Sequence, residues 1–493
     1  MKFGFDNDLY ISKQKKFIEE RIAQFKGKLY LEFGGKLFDD YHASRVLPGF
    51  DVNGKIRLLH ELRDMTEIIF CVSAADIEKT KVRADLGISY DMEVLRLIDA
   101  ITAMDIPVNS VLITRYTGQS AADAFATKLT YRGVKNYIHR PINGYPSNIE
   151  HICSDAGYGS NPYIETTKPL VVVTAPGPGS GKLATCLSQV YHETKRGQLA
   201  GYAKFETFPI WNIPLLHPVN LAYEAATADL ADVNLIDPFH LDAYGLTTVN
   251  YNRDVEAFPI VKTILSTIMQ DDTIYKSPTD MGVNMAGYAI CDNDNCKYAA
   301  NQEIIRRYFK EECARKLGKS TTEAVKKIEK IMQQLSLKPT DRVGVSEALE
   351  KSKQCDTNAS TLVLEDGVII TGKESRILSS TSACILNAIK HLAKIDDSIT
   401  LISPDILEPI LALKRDILNS RASVLKADDI LIALSITAVS NETTKTALSM
   451  LPSLKGLEMH SSCMLHSGDE GTLRKLGINL TSEPQFPGKE LFF

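Results

Sequence analysis

The segment VVVTAPGPGSGKLAT, residues 171–185, holds the residue types that bind an anion through backbone groups. Val171–Thr174 has the apolar, β-branched character of a buried strand, and Lys182 opens a helical run after the turn containing Gly177, Gly179 and Gly181. A loop that leaves a buried strand and opens a helix presents several N–H groups to one ligand, and the helix dipole adds to the attraction. Glycines allow phosphate oxygens to approach the backbone, and a lysine at the end of the loop supplies a full positive charge. The spacing therefore predicts a site for a nucleotide or phosphorylated small molecule at Gly177, Gly179, Ser180, Gly181, Lys182 and Thr185. It departs from the pattern G-x-x-x-x-G-K-[ST] at Pro176, where the first glycine belongs, and at Leu183, where a magnesium-ligating hydroxyl belongs. Thr185 has a hydroxyl two residues further on, so the ligand is expected with or without magnesium. Another anion, or a plain glycine-rich turn with a solvated lysine, would use the same residues.

Carboxylates and donors that could serve such a ligand follow. Asp237 ends the strand-like VNLID and is expected as acid/base or metal ligand, with a strand-ending Asx turn as its plainer role. Asp229, Asp232 and Asp242 lie nearby. In VNYNRDVE, Asn250, Asn252 and Arg253 supply donors, and Asp254 occupies an N-cap position ahead of the helical run 255–270. Arg253 is the expected charge clamp, and Asp254 a second acid/base candidate. Lys276 and Asp280 in a polar loop, Lys373 in ITGKES, and the lone His217 and His240 are weaker candidates.

Metal and hydrolytic chemistry has little footing. CDNDNC (291–296) and HSSCMLH (460–466) bring Cys291 with Cys296, and His460 with Cys463 and His466, but neither has the spacing of an established zinc motif. HELRD and HETKR begin as zinc-protease helices do and lack the second histidine, and there is no G-x-S-x-G elbow. No metal ligand set is assigned.

The elements that must position these residues alternate. Strand-like 28–33, 66–74 and 108–116 interleave with helical 55–64, 92–104 and 120–133, a pattern that predicts an α/β fold with a mostly parallel, three-layer sheet. Residues 231–245 read as a further buried strand ending in an acidic turn. A helical segment is expected over 301–355, rich in Lys and Glu, between an α/β region over 1–300 and a second α/β domain over 356–493. In that last domain, 361–372 reads as a hairpin around Asp366-Gly367, 382–395 as a helix and SITLIS (398–403) as a strand. The 493 residues exceed one economical core. Lys and Arg number 56 against 61 Asp and Glu, so a nucleic-acid or anionic-membrane partner is not expected. Nine scattered cysteines and the lack of an apolar leader or spanning segment point to a reduced, cytoplasmic protein, with a homo-oligomer as the default expectation.

The segments FGGKLFDDYHASRVLPGFD, PLVVVTAPGPGSGKLATCLSQVYHE, AGYAKFETFPIWNIPLLHPVNLAYEAATADLADVN, IDPFHLDAYG and VNYNRDVEAFP resemble those of the bacterial domain of unknown function 1846. ITGKESRILSSTSACILNAIKHLA and LRKLGINLTSEP extend the resemblance over nearly the whole chain. It implies α/β domains with a helical segment, and its own motif includes the proline of the glycine loop. Some relatives carry an ATP-dependent peptidase label, which the residues above do not support. Three readings follow: an enzyme acting on a nucleotide or phosphorylated substrate, such as a phosphotransferase; a non-catalytic ligand-binding or assembly protein; and a metal-dependent hydrolase.

Overall fold

The computed structural model describes residues 3–35, 37–38, 40–83, 87–230, 232–420 and 424–488. The chain divides into two compact units, Lys2–Glu224 with Asp232–Ala300, and Ala225–Ala231 with Asn301–Phe493 and Met1.

The first unit contains β1 (Leu29–Phe33), β2 (Thr66–Ser73), a short ribbon of β3 (Val82–Arg83) and β4 (Ile88–Ser89), β5 (Val108–Thr114) and β6 (Asn136–Ile138). It continues through β7 (Leu170–Thr174), β8 (Gly201–Phe205), β9 (Asn234–Ile236), β10 (Val249–Tyr251) and β11 (Gly282–Val283). Seven of these form one sheet in the order β11-β8-β1-β7-β2-β5-β6, and every pairing in it is parallel. All residues of β2 and β7 are buried, as strands covered on both faces must be, which explains their near-continuous runs of Val and Ile. The expected strands over 28–33, 66–74 and 108–116 and helices over 55–64, 92–104 and 120–133 are all present, within a few residues.

Chain order within the sheet fixes where a ligand can sit. From β7 the chain passes over β1 to reach β8, whereas from β2 it runs the other way to β5. In open parallel sheets the crevice beyond the carboxyl ends at such a divergence is the usual place for a ligand. Here the glycine loop leaves β7 at that divergence and leads into helix Lys182–Lys195.

Three expectations need correction. Among the described residues of 231–245 only β9 is strand, half-buried and paired antiparallel with β10; helix Pro238–Tyr244 follows, because Asp237 and Pro238 together make a helix start. Asp254 is not an N-cap: the helix begins two residues earlier, Asn252–Met269, and puts Asp254 in its first turn. SITLIS is not a strand; it leads into helix Pro404–Ala412, which Ser403 caps.

The second unit contains helices Thr322–Gln334 and Val345–Cys355, both within the Lys/Glu-rich section. Its four-stranded sheet comprises β12 (Ala359–Val363), β13 (Ile369–Lys373), β14 (Glu458–Ser461) and β15 (Asn479–Ser482), in the order β13-β12-β14-β15. β12 and β13 form the expected antiparallel hairpin, with Leu362 opposite Ile370. Helix Ser380–Leu392 crosses the hairpin so closely that a Cβ on Gly372 would lie 2.2 Å from the Cys384 nitrogen. A single core of Leu362, Ile385, Ile389, Ile430, Leu434 and Met459 joins sheet and helices. Among the described residues, no helix is long and apolar enough to cross a membrane.

Candidate functional site

The glycine loop is held by its carbonyls. The Thr114 hydroxyl, at the end of β5, donates to Ser180 O at 2.8 Å, and the Arg115 guanidinium donates to Gly179 O. The Ser180 hydroxyl, fully buried, turns back onto Gly177 O at 2.9 Å. With these carbonyls taken, the amides of Ser180, Gly181, Lys182, Leu183 and Ala184 donate to no protein acceptor among the described residues. First-turn amides of any helix lack an intrahelical partner, and here no side chain caps them. Gly181 sits at φ 89°, a left-handed conformation that favours glycine. Gly177 is required for a different reason: a Cβ there would lie 2.2 Å from the Tyr90 hydroxyl oxygen.

Thr185 is buried and donates to Gly181 O at 2.8 Å, with Cys71 Sγ 3.4 Å away. Its hydroxyl braces the loop from beneath. Burial also pushes the Cys71 thiol up to about 12, so that group is an inert packing partner.

Lys182 reaches across to β1, where its Nζ stands 4.0 Å from Glu32 Oε1, both side chains being largely buried. Strand register assembles the rest. Glu32 is the direct cross-strand neighbour of Lys204 on β8, so both emerge on one face of the sheet, together with Tyr202 two residues earlier. The Tyr202 hydroxyl donates to Glu32 Oε2 at 3.0 Å. Lys204 Nζ contacts Asp254 at 2.7 and 2.8 Å and Glu206 at 2.5 Å. Asp254 thus belongs to this cluster, delivered by the helix that begins at Asn252.

Electrostatics in this cluster are strongly perturbed. Burial raises the carboxyl of Glu206, and the nearby Asp254 and Glu32 carboxylates add to that, while Lys204 opposes it. Burial alone would lower Lys204, but the Glu206, Asp254 and Glu32 carboxylates outweigh it and hold the ammonium above its ordinary range. A carboxyl raised by burial beside a fixed ammonium is the kind of group that can give up or take a proton near neutral pH.

The remaining candidates lie apart from this cluster in their contacts. Asp237 is buried and fully occupied: Oδ1 accepts the His240 amide at 3.0 Å, and Oδ2 accepts Asn250 Nδ2 at 3.0 Å and the Thr279 hydroxyl at 2.8 Å. Arg253 forks onto buried Asp232, with Nε–Oδ1 and Nη2–Oδ2 both 2.7 Å. Asp280 takes the Lys276 and Ser277 amides and the Tyr244 hydroxyl. His240 meets the Ser277 hydroxyl at 3.0 Å, and His217 bridges Asn293 and the Val219 amide. Lys373 lies exposed at the end of β13.

No cluster able to hold a metal occurs among the described residues. Cys296 is buried and donates to Gly4 O, whereas Cys291 is exposed. His460 lies within β14, bonded to Thr481 and 3.3 Å from Glu483, with Cys463 and His466 beyond the strand end. HSSCMLH is therefore strand and turn, which scatters the three side chains.

Glu32, Lys204 and Glu206 escape motif reading because no motif contains them. Their signal is a charge inside an otherwise apolar strand, LYLEF and GYAKF, or directly after it at Glu206, where a buried ionised group persists only if paired.

Comparison with known proteins places the whole chain. The family model described as domain of unknown function DUF1846, N-terminal, matches residues 3–336, and its C-terminal counterpart matches residues 340–492. The chain is 54% identical over 501 residues to a UPF0371 protein of Clostridium botulinum (strain Alaska E43 / Type E3), covering 100% of both chains. It is 54% identical over 501 residues, again with 100% of both covered, to a UPF0371 protein of Clostridium tetani (strain Massachusetts / E88).

Proposed function

The chain belongs to the DUF1846 family, and we propose that it binds a phosphate-bearing small molecule, a nucleotide or sugar phosphate, at the carboxyl edge of its parallel sheet. The phosphate would lie on the amides of Ser180–Ala184, with Lys182 as its charge partner and Gly177, Gly179 and Gly181 providing close approach. The observation that carries this reading is the combination of pinned carbonyls and unpaired loop amides with a largely buried lysine 4.0 Å from Glu32. A lysine at that distance from Glu32 can turn to a phosphate without breaking a tight hydrogen bond.

Glu206 and Asp254, joined through Lys204, would provide proton transfer, making a phosphotransferase or related enzyme the reaction class. Thr185 acts as a brace in this proposal, and Asp237 and Arg253 act as structural supports. Magnesium, where the ligand brings it, would find its protein oxygen at Glu32.

A thermal-shift screen of the purified chain against nucleotides, sugar phosphates and inorganic phosphate, with and without magnesium, tests this. The expected result is a rise in melting temperature with one phosphorylated class, by mass action on the folded state, that vanishes in Lys182→Ala. The reading is lost if no phosphate compound shifts the wild type, or if the shift survives Lys182→Ala unchanged.

A further inference from the structure

Helix Ala427–Thr437 is apolar on both sides. Ala427, Ile430, Ala433 and Leu434 are buried in the core of the second unit, while Ile432 and Ile436 on the opposite side face solvent, followed by Val439. A helix that is hydrophobic all round belongs in an interior, and one copy of the chain covers only half of this one.

The neighbouring helix repeats the pattern. Pro404–Ala412 sends Leu407 into the same core and continues through a π turn, Leu413–Ile417. Leu413, Ile417 and Leu418 are exposed. Lys414 Nζ clamps this turn to Asp429 of the first helix at 2.5 Å, one helical turn ahead of Ile432.

We propose that this face is where two copies of the chain associate about a two-fold axis. Leu413, Ile417, Leu418, Ile432, Ile436 and Val439 are each between 46% and 88% exposed. Together they present roughly 700 Å² of surface, close to the about 800 Å² that each partner contributes to a standard specific interface. As a single patch, that area would lie above the roughly 300–600 Å² of the largest apolar patch on a typical monomer.

Charge at the rim selects the occupant. Lys414 is paired with Asp429, Arg415 with Asp416 at 2.6 Å, and Lys445 with Glu442 at 3.1 Å. These three basic groups each have an anionic partner, whereas an anionic bilayer is held by unpaired Lys and Arg around an apolar face. A second copy needs no charge to recognise it: under two-fold symmetry the same strip meets itself, and each rim cation meets a rim that carries anions as well.

Sedimentation velocity of the full chain over a concentration series tests the proposal, alongside Ile432→Asp with Ile436→Asp and, separately, Val439→Glu. The wild type is expected at twice the chain mass, and the double variant at the chain mass with an unchanged circular-dichroism melt. Val439 is 88% exposed, so its substitution leaves the fold intact and carries the decision if the double variant misfolds. Hydrogen exchange on the wild type should show protection that grows with concentration over 427–439. A wild type at the chain mass throughout overturns the proposal, including one that co-floats with phosphatidylglycerol vesicles. A folded Val439→Glu chain that dimerises as tightly as wild type, with no protection at 427–439, overturns it too.

Discussion

At the scale of single residues, the glycine loop depends on what its neighbours leave room for. Gly177 is glycine because Tyr90 occupies the space a side chain would take, and Tyr90 is itself buried at the start of helix Tyr90–Thr102 with Lys81 over its ring. Gly177→Ala should therefore push the loop off its carbonyl anchors, destabilising the chain by about 1–3 kcal/mol as over-packing does. The phosphate-dependent thermal shift should fall with it. Tyr90→Ala in the same chain removes the obstruction, so the two substitutions should be strongly non-additive in a double-mutant cycle of urea denaturation. Additive costs would mean that Tyr90 does not set the loop's shape. The contrast with Gly181 is instructive: there the requirement is a left-handed backbone, and no change in a neighbour would relieve it.

At the scale of elements, the same residue type serves two purposes according to what the element does with it. Asp254 and Asp237 both stand near helix starts, but only Asp254 faces the charged cluster, because its helix begins early enough to turn it toward Lys204. Asp237 ties together a helix start, β10 and the 277–281 turn through four accepted hydrogen bonds. Asp237→Ala should cost about 3 kcal/mol, since it removes a cap and strands buried donors of Asn250 and Thr279. The urea midpoint measures this, and the ligand-dependent shift should persist in the variant; its loss at full stability would return Asp237 to the site. This separation marks what could be read beforehand. Strand–helix alternation and the glycine loop are written in contiguous residues, so periodicity and turn chemistry expose them. Glu32 and Lys204 become neighbours only through the register of β1 on β8, a non-local pairing that one chain's local pattern does not encode. The 231–245 region misled for a related reason: its apolar residues suit a strand, while the Asp-Pro pair that ends β9 starts a helix.

For the molecule as a whole, the clearest collective consequence is acid sensitivity. His139 is buried, bonded to Pro162 O at 2.9 Å, and burial lowers its pKa from 6.5 to about 4. His192, His217 and His460 are lowered as well, each mainly by burial. Between pH 6.5 and about 4 the unfolded chain binds a proton at His139 that the folded chain refuses. Stability from this group is therefore fully present above 6.5 and is lost as pH falls toward 4. The shift corresponds to about 3 kcal/mol at one residue. Glu206 and Asp469 act with the opposite sign, because burial raises their carboxyls and the folded chain keeps their protons longer. Their contribution is full below the ordinary carboxylate range and is lost as pH rises, so a wild-type profile alone mixes the two trends. Comparing His139→Gln with wild type by urea denaturation at pH 7 and pH 4.5 isolates the histidine. The variant should lose markedly less stability on acidification than the wild type does, since glutamine can donate to the same carbonyl without gaining a proton. Equal losses in both chains would mean that His139 takes up its proton within the folded state, where the imidazolium keeps donating to Pro162 O.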